Sequence, residues 1–379
     1  MSLLHRHIFL AVFGACAAAI GLFAFILVVG NVLKDLLPFV MGGQVTLGTF
    51  SKLLGLLLQI VASYALPMGV LTGVLLVLGR MSAQNEVTAM RAAGLSIGYI
   101  AQPALLVGLA AALLCGFINF YSMPKSKTAY KRILAEAVQR NPLSFIVPKT
   151  FIRDFRGIVL FVGDKEESLL KDVWIWELDD QNRVVRSGRA ATGRVSFDER
   201  EGRLGLVLGN VSFEIRDEDN PEEFTKPVQP GTSKEFTIEL RMDAVFGKQA
   251  VRQKPSWMTL EELFTEQHRL ASLPPGGDPV KTALDRMTIA FAINEKASTA
   301  VAVFAFALLA VPLGIKVSRK ETTANLGVAL ALVMAYYFLT VCVSWLDGKP
   351  EWRPDLLIWA PVIFFLALGL ALLKRMSRV

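Results

Sequence analysis

The chain lacks the signatures of most chemistry. Its 379 residues include only three cysteines and three histidines. Cys16, Cys115 and Cys342 each fall inside a long apolar run, which argues against a disulfide framework and against a zinc site. His5 and His7 stand at the N-terminus and His268 in a polar stretch, none with a metal-ligand companion at useful spacing. No GxxxxGK[ST] motif occurs, so the chain has no P-loop with which to hydrolyse ATP itself. HExxH is missing too. The acid pairs Asp179-Asp180 and Glu222-Glu223 stand among turn residues and read as solvated charge. The sequence therefore nominates no catalytic residue, no metal ligand and no cofactor.

Charge is also missing, in long blocks. Ile8–Leu33, Leu53–Gly79, Ala92–Pro124, Ala297–Ile315, Thr322–Leu346 and Leu356–Leu373 contain no Asp, Glu, Lys or Arg. A helix needs ~20 apolar residues to cross a bilayer, and each block is read as one transmembrane helix. The chain is 53% hydrophobic with a mean hydropathy of +0.46, which suits a polytopic membrane protein with a soluble part. The first block is too long for a signal-peptide core and is taken as a retained span. The fourth is short. Its helix is expected to begin near Met287 and to carry Glu295 and Lys296 in its outer turns.

What charge there is sets an orientation. With the N-terminus inside, the inner segments hold Arg6, Arg80, Arg91, Lys316, Arg319, Lys320, Lys374, Arg375 and Arg378 against only Glu86 and Glu321. The short outer loops are balanced. This positive-inside bias predicts that both termini are cytoplasmic. The long segment Lys125–Lys296 holds 27 basic and 27 acidic residues, so the net charge of +7 belongs to the membrane part. It is an orientation signal and gives no support to nucleic-acid binding.

The expected organisation is three spans, an inserted all-β domain, then three spans. Residues 1–124 hold spans 1–3, with a short surface helix at about 80–94. A helical connector at 125–142 carries span 3 outward until Asn141-Pro142 stops it. Short β-type runs alternate with turn residues over 143–250: SFIVPKTFI, GIVLFV, DVWIWEL, RVVRSGRAA, GRVSFD, RLGLVLG, VSFEIR and KEFTIEL. About eight strands in ~100 residues predict a sandwich or jelly roll. Val159, Phe161, Trp174, Trp176, Leu206 and Leu208 either fill an ordinary core or line an open interior that holds an acyl chain. Residues 251–286 contain an amphipathic helix, capped by Thr259 or Ser256, and a Pro-Pro-Gly-Gly linker. Spans 4–6 occupy 287–379.

The segment Gly79–Gly94, GRMSAQNEVTAMRAAG, separates two apolar runs. Ser82 is its expected N-cap and Gly94 its stop. Ala83, Val87 and Met90 share one face, with Glu86 beside Met90 at i, i+4. It is either a tight turn or a lever that takes force from a soluble partner. Lys34 at the outer end of span 1 and Lys296 near that of span 4 either snorkel to headgroups or meet the phosphates of an anionic lipid.

The run LPMGVLTGVLLVLGRMSAQNEVTAMRAAGLS (Leu66–Ser96) resembles the signature region of the LptF/LptG (YjgP/YjgQ) permeases. AINEKASTAVAVFAFALLAVPLGIKVSRKE (Ala292–Glu321) and GVALALVMAYYFL (Gly327–Leu339) are similar to that family's fourth and fifth spans. The junction LAEAVQRNP is more like LptF than LptG. The resemblance implies six membrane helices around a periplasmic β-jellyroll in the bacterial inner membrane. It implies an ABC transporter that moves lipopolysaccharide towards the outer membrane, with no enzymatic activity of its own. The implied partners are a dimer of LptB-type ATPases that binds the ATP, a second permease, and LptC- and LptA-type bridge proteins. The short helix becomes a coupling helix with Glu86 as its ATPase contact and Met90, Arg91 and Gly94 in the motif. Lys34 corresponds by position to a basic residue implicated in holding lipid phosphates. Two other readings use the same residues: an ATPase-coupled scaffold that transports nothing, and a lipid-modifying membrane enzyme.

Overall fold

The computed structural model describes residues 3–37, 40, 46–140, 148–153, 157–166, 169–179, 183–198, 203–216, 229–241, 255–272, 279–317, 322–346 and 350–377. Contacts divide the chain into a helical unit (Met1–Asn31, Leu54–Ala129 and Gln253–Val379) and a second unit (Val32–Leu53 and Tyr130–Arg252).

Six helices are long and apolar enough to cross a membrane. Span 1 is α1 (Leu3–Asn31), followed by a π-helical turn, Val32–Leu36. Span 2 lies in α2 (Leu47–Ala83), and α3 (Glu86–Ala92) is a separate short helix. Span 3 is α4 (Ile97–Phe117), which runs through a π-helical segment, Ile118–Ser122, into α5 (Met123–Arg140). Spans 4 and 5 are α7 (Pro279–Val317) and α8 (Thr322–Ser344). The short α9 (Pro354–Leu357) leads into α10 (Ala360–Ser377), and the two together make span 6. Amphipathic α6 (Leu260–Ala271) precedes span 4.

Spans 2 and 4 are 72% and 67% buried over their most apolar stretches, while each of the others is under a third buried. The two form the centre of the helical unit. Small residues allow the close approach. A Cβ on Gly73 would lie 2.5 Å from Cys16 Cα, and one on Gly69 2.6 Å from the Ile20 amide nitrogen, so the α1 backbone rests directly on α2. Phe306, Tyr336 and Phe365 meet edge to face where spans 4, 5 and 6 pack.

The all-β unit is a six-stranded antiparallel sheet in sequence order, β1-β2-β3-β4-β5-β6. Its strands are β1 (Phe151–Ile152), β2 (Ile158–Glu166), β3 (Leu169–Leu178), β4 (Val184–Asp198), β5 (Arg203–Ile215) and β6 (Gln229–Arg241). Six strands stand among the described residues where the run pattern predicts about eight. RVVRSGRAA and GRVSFD join into β4, and RLGLVLG and VSFEIR into β5. The glycines between those runs keep ladder partners, Gly193 with Leu208 and Gly209 with Thr192, so they do not end the strands.

Period-two geometry sorts the apolar positions onto two faces. Leu160, Val162, Val173, Ile175, Leu206 and Leu208 are buried on one. Val159, Phe161, Trp174 and Trp176 alternate with them and face the other way. There Trp174 stacks on Trp176 at 6.0 Å, and Phe151 packs on Phe161 and Trp176 at 5.0 and 5.8 Å. Of the six core candidates, only Leu206 and Leu208 lie on the buried side. Residues two apart share a face, and the continuous apolar runs conceal which face is which.

Candidate functional site

The elbow between spans 2 and 3 is built differently from the sequence expectation. Ser82 belongs to the last turn of α2 and caps nothing. Its hydroxyl donates to the Ile315 carbonyl of α7 at 2.7 Å, which ties the end of span 2 to the end of span 4. Ala83 is the last residue of α2, exposed, and shares no face with α3. The chain breaks at Gln84-Asn85 instead. Asn85 sits in the left-handed region with φ 60°, a conformation that Asn tolerates better than most residues.

Helix α3 then runs for seven residues. Val87 is buried in the helical core and Met90 packs against it, while Glu86, Arg91 and Gly94 are exposed. Glu86 stands in the first turn and Arg91 in the last, each with the sign that the helix dipole favours. Gly94 ends the helix as predicted, at φ 87°. The Leu95 amide donates to the Met90 carbonyl and the Gly94 amide to that of Arg91, the paired bonds of a Schellman stop. Ser96 accepts from the Tyr99 amide and starts α4. The elbow is thus fixed at both ends, with one apolar anchor inward and one acid and one base outward.

Lys34 lies in the π-helical turn after α1, and its side chain is outside the described residues. Lys296 is only 6% exposed. Its ammonium donates to the Met258 carbonyl, just before α6. Around it lies a polar junction of three spans. The Asn119 amide donates to the Lys296 carbonyl at 3.2 Å, Ser63 donates to Asn119 Oδ1, and Cys115 Sγ approaches the Ser63 carbonyl. Helix α6 carries a full capping box, Thr259 with Glu262, which selects Thr259 over Ser256. Leu263 and Leu270 bury its apolar face against Ile289 and Ala292 of α7.

The buried face of the sheet borders a cavity of about 470 Å³. Ile175, Leu208, Val211, Phe213, Phe236 and Ile238 supply most of its wall. Its charged residues are Glu177 and Arg186, opposite one another on β3 and β4 and paired at 3.1 Å. The wall suits hydrocarbon and offers one ion pair to anything charged. Sequence reasoning proposes a greasy interior but names neither Phe236 nor Arg186. The alternation in KEFTIEL could have pointed to Phe236 and Ile238.

The sequence matches a known family over nearly its whole length. A model of the lipopolysaccharide export system permeases LptF/LptG matches residues 6–375. The chain belongs to the LptF/LptG family. It is 24% identical over 336 residues to the lipopolysaccharide export system permease protein LptF of Escherichia coli (strain K12), covering 87% of this chain and 83% of that protein. The same figures hold for LptF of Shigella flexneri. LptG of Haemophilus influenzae (strain ATCC 51907 / DSM 11121 / KW20 / Rd) is 23% identical over 152 residues, 40% of this chain and 42% of that protein. The LptF matches run over more than twice the length of the LptG match, in line with the LptF-like junction. Six membrane helices interrupted by an antiparallel sheet are the layout expected of an LptF/LptG permease, and this family membership makes the chain a transporter component and not an enzyme.

Proposed function

We propose that this chain is a permease subunit that moves lipopolysaccharide out of the bacterial inner membrane, driven by an ATPase bound at α3. Both termini and α3 face the cytoplasm in this reading, and the β domain faces the periplasm. The observation that carries it is the pairing, in one LptF/LptG chain, of an exposed elbow with an apolar cavity in the sheet. Extracting acyl chains from a bilayer costs ~0.8 kcal/mol per CH₂, so the lipid needs both an energy source and an apolar route. Glu86 and Arg91 offer the ATPase a charged contact, Met90 and Val87 seat the helix, and Gly94 sets its end. The sheet cavity receives the acyl chains as they leave the bilayer. From there LptC- and LptA-type proteins take the lipid on, and a second LptF/LptG-type permease pairs with this one in the membrane. Lys34, at the end of span 1, meets lipid phosphate.

Three measurements test the reading. A photo-reactive residue at Phe236 is expected to capture lipopolysaccharide only while ATP is hydrolysed, and no capture would remove transport through the sheet cavity. Glu86→Ala is expected to reach the membrane normally but to lose the co-purifying ATPase; full retention would return α3 to a connecting turn. Charge reversal at Lys34 is expected to lower the lipid that co-purifies with the complex, and an unchanged amount would favour simple snorkelling.

A further inference from the structure

Helix α6 is clamped to α7 by two cations, and only one of them is explained by helix stability. Arg286 donates to the Leu270 carbonyl at 3.2 and 2.7 Å, at the C-terminal end of α6, where the helix dipole favours positive charge. Lys296 holds the opposite end. Its ammonium donates to the Met258 carbonyl beside the N-cap, where the dipole disfavours a cation. Glu262 of α6, Glu295 and Lys127 are the charged groups that act on it. An ionisable side chain buried this fully on a membrane-spanning helix normally marks function. Its own backbone carbonyl accepts from Asn119, which sits in the π-helical interruption of span 3, and Asn119 accepts from Ser63 of span 2. Such interruptions recur at functional sites. Near its C-terminal end α7 accepts from Ser82, at the base of the elbow.

From this we infer that Lys296 is a positioning residue. It ties the chain segment that returns from the β domain to the junction of spans 2, 3 and 4, so that movement started at the elbow reaches that segment. This rests on the ATP-driven transport proposed above. Helix α7 is the rod: Ser82 holds it near its C-terminal end, and Lys296, near its middle, joins it to Met258. The ammonium acts as a tether and touches no lipid.

The test uses the whole complex, co-purified from native membrane and reconstituted with lipopolysaccharide, with the photo-reactive probe at position 236. The parent complex must first give the ATP-dependent adduct; its failure there would sink the transport reading before Lys296 is reached. In Lys296→Met, ATP hydrolysis and co-purifying lipid are expected to stay near parental values while the adduct per ATP falls about tenfold, within the usual range of coupling between sites. Lys296→Arg, which keeps a donor, is expected to retain the adduct. A second variant, Met258→Cys with Lys296→Cys in a Cys342→Ser background, is expected to regain the adduct when a short thiol-reactive bridge joins the two positions. The bridged variant carries the test should Lys296→Met fail to accumulate. An unchanged adduct per ATP in Lys296→Met would overturn the inference. So would co-purifying lipid that falls in step with the adduct, which would make Lys296 a lipid-phosphate contact, or a bridge that restores nothing.

Discussion

Phe13 and Phe25 on α1 are more than half exposed, while Leu206 and Leu208 on β5 are almost fully buried. The side chains are similarly apolar, and the difference lies in what surrounds each unit. A span surrounded by acyl chains gains little by hiding apolar groups, so its packing depends on small residues, shape and a few hydrogen bonds. Gly69 and Gly73 against α1, Ser82 on Ile315, and Asn119 on Lys296 are of that kind. The sheet follows the rules of water: one face is apolar and buried, the other carries partly exposed aromatics and ion pairs such as Arg189 with Asp172. Its apolar face nevertheless leaves a cavity unfilled. This hydrocarbon-lined space is the feature of the sheet on which the proposed function draws.

Four substitutions sharpen or break this contrast, here in order of their effect on stability. Gly73→Leu forces a side chain into the α1 backbone and is expected to cost about 3 kcal/mol, read as a lower melting temperature of the purified protein with the sheet's hydrogen exchange unchanged. Leu208→Ala is expected to cost about 2.5 kcal/mol in the sheet alone, seen as faster exchange in β4 and β5; a matching loss in the spans would merge the two units into one cooperative body. Gly94→Ala keeps the helix but strains its left-handed stop by about 1 kcal/mol, with a small fall in melting temperature and a weaker grip on the ATPase. Phe236→Asp lies on a partly exposed edge of the cavity and is expected to change stability by under about 1 kcal/mol while lowering lipid capture about tenfold. Unimpaired capture there would show that the cavity is only a packing gap.

The spans are legible because a run of twenty or more residues without charge suits a bilayer and little else. Gly94 is legible because a left-handed stop strongly favours glycine. The start of the elbow is not, since a serine before an apolar pattern resembles an N-cap. The Ser82 hydroxyl instead finds a carbonyl more than two hundred residues away, which no local pattern records. The strand faces of Val159, Phe161, Trp174 and Trp176 are hidden because runs apolar throughout carry no phase. Lys296 stands out in the sequence as a charge at the edge of a span, yet its partner on Met258 depends on how α6 folds back along α7.

Asn85 has a further consequence. With its backbone in the left-handed region and a Schellman stop only a few residues later, α3 has no slack at either end. A loose loop would absorb a push by rearranging in nanoseconds. A seven-residue helix with a defined start and stop has fewer free torsions in which a displacement could be lost, so under the proposed function a push on it is passed to spans 2 and 3. If the elbow is pushed as proposed, its fixed start and stop make its geometry, as much as its charges, part of the contact.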